Sequence, residues 1–266
     1  MSSSRVEILN DGGLRSDFRR PHELRTFSLS IPTSSSSSAD GIATCSHGLT
    51  TVIATVHGPR EAKMRSATLF DRAVLNIEVG VGSWAGNERR RRGRGDKRIQ
   101  EIAAALESTF EPVIQTQLYP RSEINIYVQV LSMDGALLQT AINATTLALL
   151  TSGISLLDSL LSLTIGIHLT TPLLDLTSQE ESDLPHVVLA FLPRSGKVTT
   201  AELNGRLDTE RFAECLRVAG EGVGVLRKEM EGALRDWADR VGNEAIDLGG
   251  VGATAANVGE EDDMDI

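Results

Sequence analysis

Residues 123–150, EINIYVQVLSMDGALLQTAINATTLALL, decide the fold class. In residues 123–131, Ile124, Ile126, Val128 and Val130 alternate with Glu123, Asn125, Tyr127 and Gln129. Period two with β-branched content specifies a strand with one apolar face. After Asp134-Gly135 the pattern changes. Residues 137–150 carry apolar side chains at helical spacing and almost no charge, which predicts a helix buried on most sides. A strand that feeds directly into a buried helix needs a sheet for that helix to pack on.

Towards the N-terminus, residues 24–31, 41–45 and 51–57 read as a strand meander, with a Ser46-His47-Gly48 turn and an end at Gly58-Pro59-Arg60-Glu61. Residues 73–81 give one more strand. Asp96 is placed to cap a helix whose apolar face holds Ile99, Ile102, Ala103, Leu106 and Phe110. Towards the C-terminus, residues 163–169 and 187–192 read as strands, 197–203 as their continuation, and 209–240 as a long amphipathic helix. The order lacks the strict alternation of a Rossmann or barrel fold. It predicts an α+β protein of mixed sheets with packed helices. Residues 1–13, the serine-rich insertion 33–38, the loop 83–95 and the acidic tail 241–266 are expected to be flexible or disordered.

Composition narrows the function. At 41% hydrophobic over 266 residues the chain can bury a core, and with 4% aromatic residues Leu, Val, Ile and Ala must fill it. The most apolar run, 147–163, is broken by Thr151, Ser152, Ser155, Asp158, Ser159 and Ser162, so no membrane helix is expected. The opening MSSSRVEILNDGG has no apolar h-region, which predicts no secretory signal. Cys45 and Cys215 supply no disulfide framework, suit a reducing compartment and are expected as small core residues. Cys45-x-His47 has no second ligand pair, so neither a metal nor a cofactor is expected. His57 and His168 fall in strands and are expected in the core or at an edge. The net charge of −10 argues against nucleic-acid binding by bulk charge. Yet Arg89, Arg90, Arg91, Arg92, Arg94, Lys97 and Arg98 lie within ten residues.

Six segments in order carry a resemblance. They are Arg19-Arg20-Pro21-His22-Glu23-Leu24-Arg25; Ala39-Asp40-Gly41-x-Ala43 with Gly48-Leu49-Thr50; and Thr55-Val56-His57-Gly58-Pro59-Arg60-Glu61. Then come Tyr119-Pro120-Arg121-Ser122-Glu123-Ile124 with Asp134-Gly135; Ala141-Ile142-Asn143-Ala144; and Thr171-Pro172-Leu173-Leu174-Asp175-Leu176. Over residues 14–240 the chain resembles the RNase PH family, and within it the exosome ring subunits that correspond to the catalytic archaeal one. The resemblance implies βαβα halves of the ribosomal protein S5 domain 2 type. It also implies a six-membered ring with other RNase PH-like subunits, S1/KH-type cap subunits, a hydrolytic nuclease partner and single-stranded RNA in the channel. Residence in nucleus, nucleolus and cytoplasm is implied in the same way.

Active members hold inorganic phosphate in a Gly-Thr/Ser-Arg turn after the Asp-Gly that ends the central strand. Here Ala136, Leu137 and Leu138 stand in those places, and an aliphatic side chain cannot imitate a planar guanidinium. Each lost donor would cost about 2.7–4 kcal/mol in the transition state. Active members also carry acids at the first and seventh places after the Thr-Pro-Leu-Leu box, here Asp175 and Glu181; without the phosphate turn these are expected in a solvated turn. The resemblance therefore implies a non-catalytic, RNA-guiding subunit, the alternative being an active phosphate-dependent 3′–5′ exoribonuclease. Lys97 and Arg98 are expected to face RNA phosphates, with Arg89, Arg90, Arg91, Arg92 and Arg94 behind them. Arg19, Arg20 and Arg121 are expected as subunit or intradomain ion-pair partners, and Trp84, the aromatic nearest the basic run, as a packing residue rather than a base-stacking one.

Overall fold

The structure is a computed structural model that describes residues 8–10, 12–32, 38–61, 69–86 and 96–257, with side chains as far as Glu244. Two sheets form, joined by one central helix. The first takes β1 (Phe27–Ser30), β2 (Gly41–His47), β3 (Thr50–Glu61), β4 (Val74–Val81) and β5 (Ser122–Ser132) in the order β1-β2-β3-β5-β4. Its pairs are antiparallel except β4 with β5, which are joined through α1 (Lys97–Phe110). The second is antiparallel and takes β6 (Leu161–His168), β7 (Thr171–Leu174), β8 (His186–Leu192) and β9 (Lys197–Asn204) in the order β7-β6-β8-β9.

Helix α2 (Leu137–Thr151) lies between the sheets, in contact with β2, β3 and β5 on one side and β6 and β8 on the other. That position explains its composition. A helix covered on two faces has no solvent stripe, and every residue from Gln139 to Leu149 is buried. Its approach to β2 is close: a Cβ on Gly41 would collide with the Ala148 carbonyl oxygen, so only glycine fits there. Helix α1 packs on β4, and Asp96 caps it as expected by accepting from the Arg98 backbone N–H at 3.3 Å. Helix α4 (Thr209–Asn257) covers the other side of the second sheet through Cys215, Val218, Ala219, Val223, Leu226 and Met230.

Four expectations need correction. The Gly58-Pro59 step does not end β3; the strand runs on to Glu61 through a register slip between His57 and Arg60. The missing proline N–H falls where the ladder is already interrupted. Residues 171–174, read only as a motif, form β7, and 178–183 form the short helix α3 (Ser178–Asp183). Residues 197–203 form a separate strand, β9, paired antiparallel with β8 across a turn. The last helix does not stop at residue 240. Ala245, Leu248, Ala253, Ala255 and Ala256 favour helix, and each glycine among them costs only about 1 kcal/mol. Residues 1–7, 33–37, 87–95 and 258–266, which hold most of the segments expected to be flexible, lie outside the described residues.

The buried polar groups of α2 have an architectural task. Strand β7 pairs with β6 only from Ile165 onward, so the edge of β6 at 162–164 has no strand beside it. Asn143 accepts from Ser162 N–H at 2.8 Å and donates to Ser162 C=O at 3.1 Å, and Gln139 accepts from Thr164 N–H at 2.8 Å. Two side-chain amides thus replace a strand's ladder. Behind them His47 is sealed, its ring nitrogens 3.2 and 3.0 Å from Gln139 Nε2 and Asn143 Nδ2. Burial pulls the His47 pKa down from 6.5 to about 4, against the opposing pull of Asp175.

This shift sets the direction of a pH dependence. The unfolded chain takes up a proton at His47 below pH 6.5 and the folded chain does so only near pH 4. Stability is therefore complete above pH 6.5 and falls as the pH drops towards 4, by about 3 kcal/mol from this group. Urea midpoints measured between pH 7 and 4.5 are expected to decline, and His47→Gln is expected to flatten that decline.

Candidate functional site

The site lies where two turns meet. One, Asp134-Gly135-Ala136, joins β5 to α2; the other, Asp175-Leu176-Thr177, joins β7 to α3. They touch through backbone: a Cβ on Gly135 would lie 2.6 Å from Ser178 N and from Thr177 C, and Gly135 has φ +77°. Thr50 bridges the first turn, its hydroxyl accepting from Asp134 N–H at 2.9 Å and donating to Gly135 C=O at 2.8 Å.

Asp175 is wholly buried, contrary to the solvated turn expected from sequence. Its Oδ2 accepts from the Arg25 backbone N–H at 2.9 Å, and its Oδ1 accepts from the Arg25 guanidinium at 2.7 Å. Arg25 also donates to Asp134 C=O at 2.7 Å, so one guanidinium ties both turns together. Burial alone would raise the Asp175 pKa; the hydrogen bonds and charge of Arg25 outweigh it and hold the carboxyl below its ordinary value. Beside it, Arg15 forms a buried bidentate pair with Glu180 and donates to the carbonyls of Leu174 and Asp175. Glu180 caps α3 as well, accepting from Thr177 N–H at 2.9 Å. Burial pushes its carboxyl up, and Arg15 with the Thr177 amide brings it below the usual value.

Glu181 points the other way, partly exposed. Its Oε2 accepts from the Ala136 backbone N–H at 3.0 Å, and its Oε1 is 3.6 Å from His186 Nε2. Ala136 is the left-handed N-cap of α2, with φ 50°. A backbone donor at the start of this helix therefore already faces a carboxylate of the same chain. Leu137 and Leu138 pack against the hydrophobic core. The described residues of both turns thus present an internal carboxylate, two aliphatic side chains and a sequestered ion pair. That arrangement ties the two turns together.

The other residues singled out from sequence lie elsewhere. Lys97 and Arg98 are exposed at the opening of α1. Arg89, Arg90, Arg91, Arg92 and Arg94 lie outside the described residues. Arg19 pairs with Asp17 and donates to Asp175 C=O at 3.2 Å. Arg121 stacks on Phe70, 4.1 Å from the ring centre, and joins no ion pair among the described residues. Trp84 is corrected, being 72% exposed rather than packed. Cys45 and Cys215 are buried, and burial raises both thiol pKa values, that of Cys215 to about 11. His57 is half-buried in β3, edge-on to Tyr127, and His168 ends β6. Among the described residues there is no group of three or more His, Cys, Asp or Glu able to hold a metal, and no helix long and apolar enough to cross a membrane. Sequence reasoning overlooked Arg15, Glu180 and the pairing role of Arg25. Arginines just ahead of the first strand were a visible signal, but their counter-charges lie 165 and 150 residues away.

Known proteins match the chain along most of its length. The family model described as "3' exoribonuclease family, domain 1" matches residues 23–155, and "domain 2" of the same family matches 158–222. The exosome complex component ski6 of Schizosaccharomyces pombe is 38% identical over 235 residues, covering 88% of this chain and 96% of that protein. Mouse exosome complex component RRP41 is 38% identical over 218 residues, covering 81% and 88%. The crystal structure of rice Rrp46 superposes with a TM-score of 0.74 at 24% identity, covering 83% of this chain and all of that one.

Proposed function

Because the chain belongs to the 3′ exoribonuclease (RNase PH) family, we propose that it serves as a non-catalytic ring subunit of an RNA exosome core, guiding single-stranded RNA. The observation that carries this reading is the state of the two turns. Phosphorolysis brings one anion against another and needs fixed positive charge where phosphate binds. At the corresponding turn Leu137 and Leu138 join the core, and the Ala136 N–H faces Glu181. The carboxylate that matches a family acid, Asp175, is used up in holding Arg25. The proposed partners are other RNase PH-like subunits in a six-membered ring, S1/KH-type cap subunits and a hydrolytic nuclease that does the cutting. The proposed sites of action are nucleus, nucleolus and cytoplasm.

RNA contact is assigned to Lys97 and Arg98, with Arg89, Arg90, Arg91, Arg92 and Arg94 completing the basic run. On a chain of net charge −10 such a local run acts through phosphate contacts, which are sequence-independent and salt-sensitive. Phosphate-dependent release of nucleoside diphosphates is the deciding assay, run on the chain alone and in its native complex. No release is expected in either, while Lys97→Glu with Arg98→Glu weakens RNA binding by the complex. The slope of log affinity against log salt is expected to shrink by about 0.7 for each RNA phosphate that no longer meets a cation. Release that depends on this chain would make it a phosphorolytic exoribonuclease instead.

A further inference from the structure

Trp84 stands on the turn that follows β4, and that turn is fixed at three backbone points. Gly82 N–H donates to Val130 C=O at 3.0 Å, Ala85 N–H to Gly82 C=O at 3.0 Å, and Met133 N–H to Ala85 C=O at 2.8 Å. Ala85 is buried beneath it. The indole rests against Gly82, where a Cβ would come within 3.1 Å of the ring's Cε2. One part of the ring is thus backed by a rigid turn, and 72% of the residue remains open.

The neighbourhood indicates what that open surface meets. Met133, which pins the turn, leads directly into Asp134-Gly135-Ala136, the degenerate phosphate turn. In the other direction the described chain resumes at Asp96, with Lys97 and Arg98 exposed at the opening of α1. Within the turn itself Gly82, Ser83 and Gly86 add none of the apolar surface that a protein partner wants. A nucleobase needs only one rigid aromatic face with phosphate-binding cations nearby.

We propose that Trp84 is a stacking platform for a base of single-stranded RNA, passing between the degenerate turn and the cations that open α1. The proposal deepens the RNA-guiding reading and rests on it. It makes Trp84 a base contact tolerant of sequence, since every base has a π-face, beside the phosphate contacts of Lys97 and Arg98.

The test uses the full chain with Trp237→Phe, so that Trp84 is the sole remaining tryptophan, and two probes of equal length: oligoadenylate and a fully abasic strand. Oligoadenylate is expected to quench the Trp84 emission. Trp84→Ala is expected to weaken oligoadenylate binding roughly tenfold, Trp84→Phe to restore most of it, and the abasic strand to bind all three alike. Unchanged oligoadenylate affinity in Trp84→Ala, with Lys97→Glu plus Arg98→Glu still damaging, overturns the stacking role and leaves the RNA reading intact. Equal weakening on both strands also overturns it, as does loss of association with a ring partner without loss of RNA binding. No binding of either strand, by the chain or by its native complex, removes both proposals.

Discussion

Asp175→Ala is expected to cost about 3–5 kcal/mol of folding stability, because it strands the buried Arg25 guanidinium without its counter-charge. The Nε of Arg25 already has no hydrogen-bond partner among the described residues, so the cation has little to fall back on. The same change frees the Arg25 backbone N–H and loosens the tie between the Asp134 and Asp175 turns. Asp175→Asn keeps an acceptor and is expected to lose less. Urea denaturation of the two variants beside wild type measures this. A variant as stable as wild type that nonetheless abolished nucleoside diphosphate release in the complex would return Asp175 to a catalytic role. Without the stability measurement, lost activity in Asp175→Ala would carry no information about chemistry.

Glu180→Ala is the second large effect, again about 3–5 kcal/mol, since Arg15 is wholly buried and Glu180 is its only charged partner among the described residues. Arg15→Ala is expected to do similar damage from the other side. The pair should be strongly non-additive. Arg15→Met combined with Glu180→Gln removes both charges and keeps an acceptor for the Thr177 N–H, so most of the stability should return. A double variant as damaged as the sum of the single changes would show that the two side chains act independently. Both carboxyls lie below their ordinary pKa values, so their stabilisation is complete above about pH 4.5 and is lost as the pH falls further. Acid therefore acts twice on this protein, first through His47 and then through Asp175 and Glu180.

The elements that proved legible were those with a strong local pattern. Residues 122–132 and 137–151 alternate or recur at the period their structure demands, because a half-buried strand and a fully covered helix impose those periods on side-chain choice. The Asp96 cap was equally local, a side chain bonding a backbone two residues on. Strand β7 and helix α3 were not legible as elements. Four and six residues are too few to show a period, and α3 is held by a capping box and by Arg15, which lies far away in sequence.

Sequence alone determined the family resemblance, the α+β class, the identity of Ala136, Leu137 and Leu138 after Asp134-Gly135, and the presence of a basic run on an acidic chain. Each is a property of residue identity in order. Tertiary structure decided what the remaining charges do. Asp175 and Glu181 read alike as acids near a turn, yet one is sealed against Arg25 and the other sits on the Ala136 N–H. Trp84 reads as core and stands exposed, because the turn that carries it is pinned to β5 from below. An ionisable or aromatic side chain takes its role from the dielectric and partners around it, and those are assembled here from segments more than a hundred residues apart.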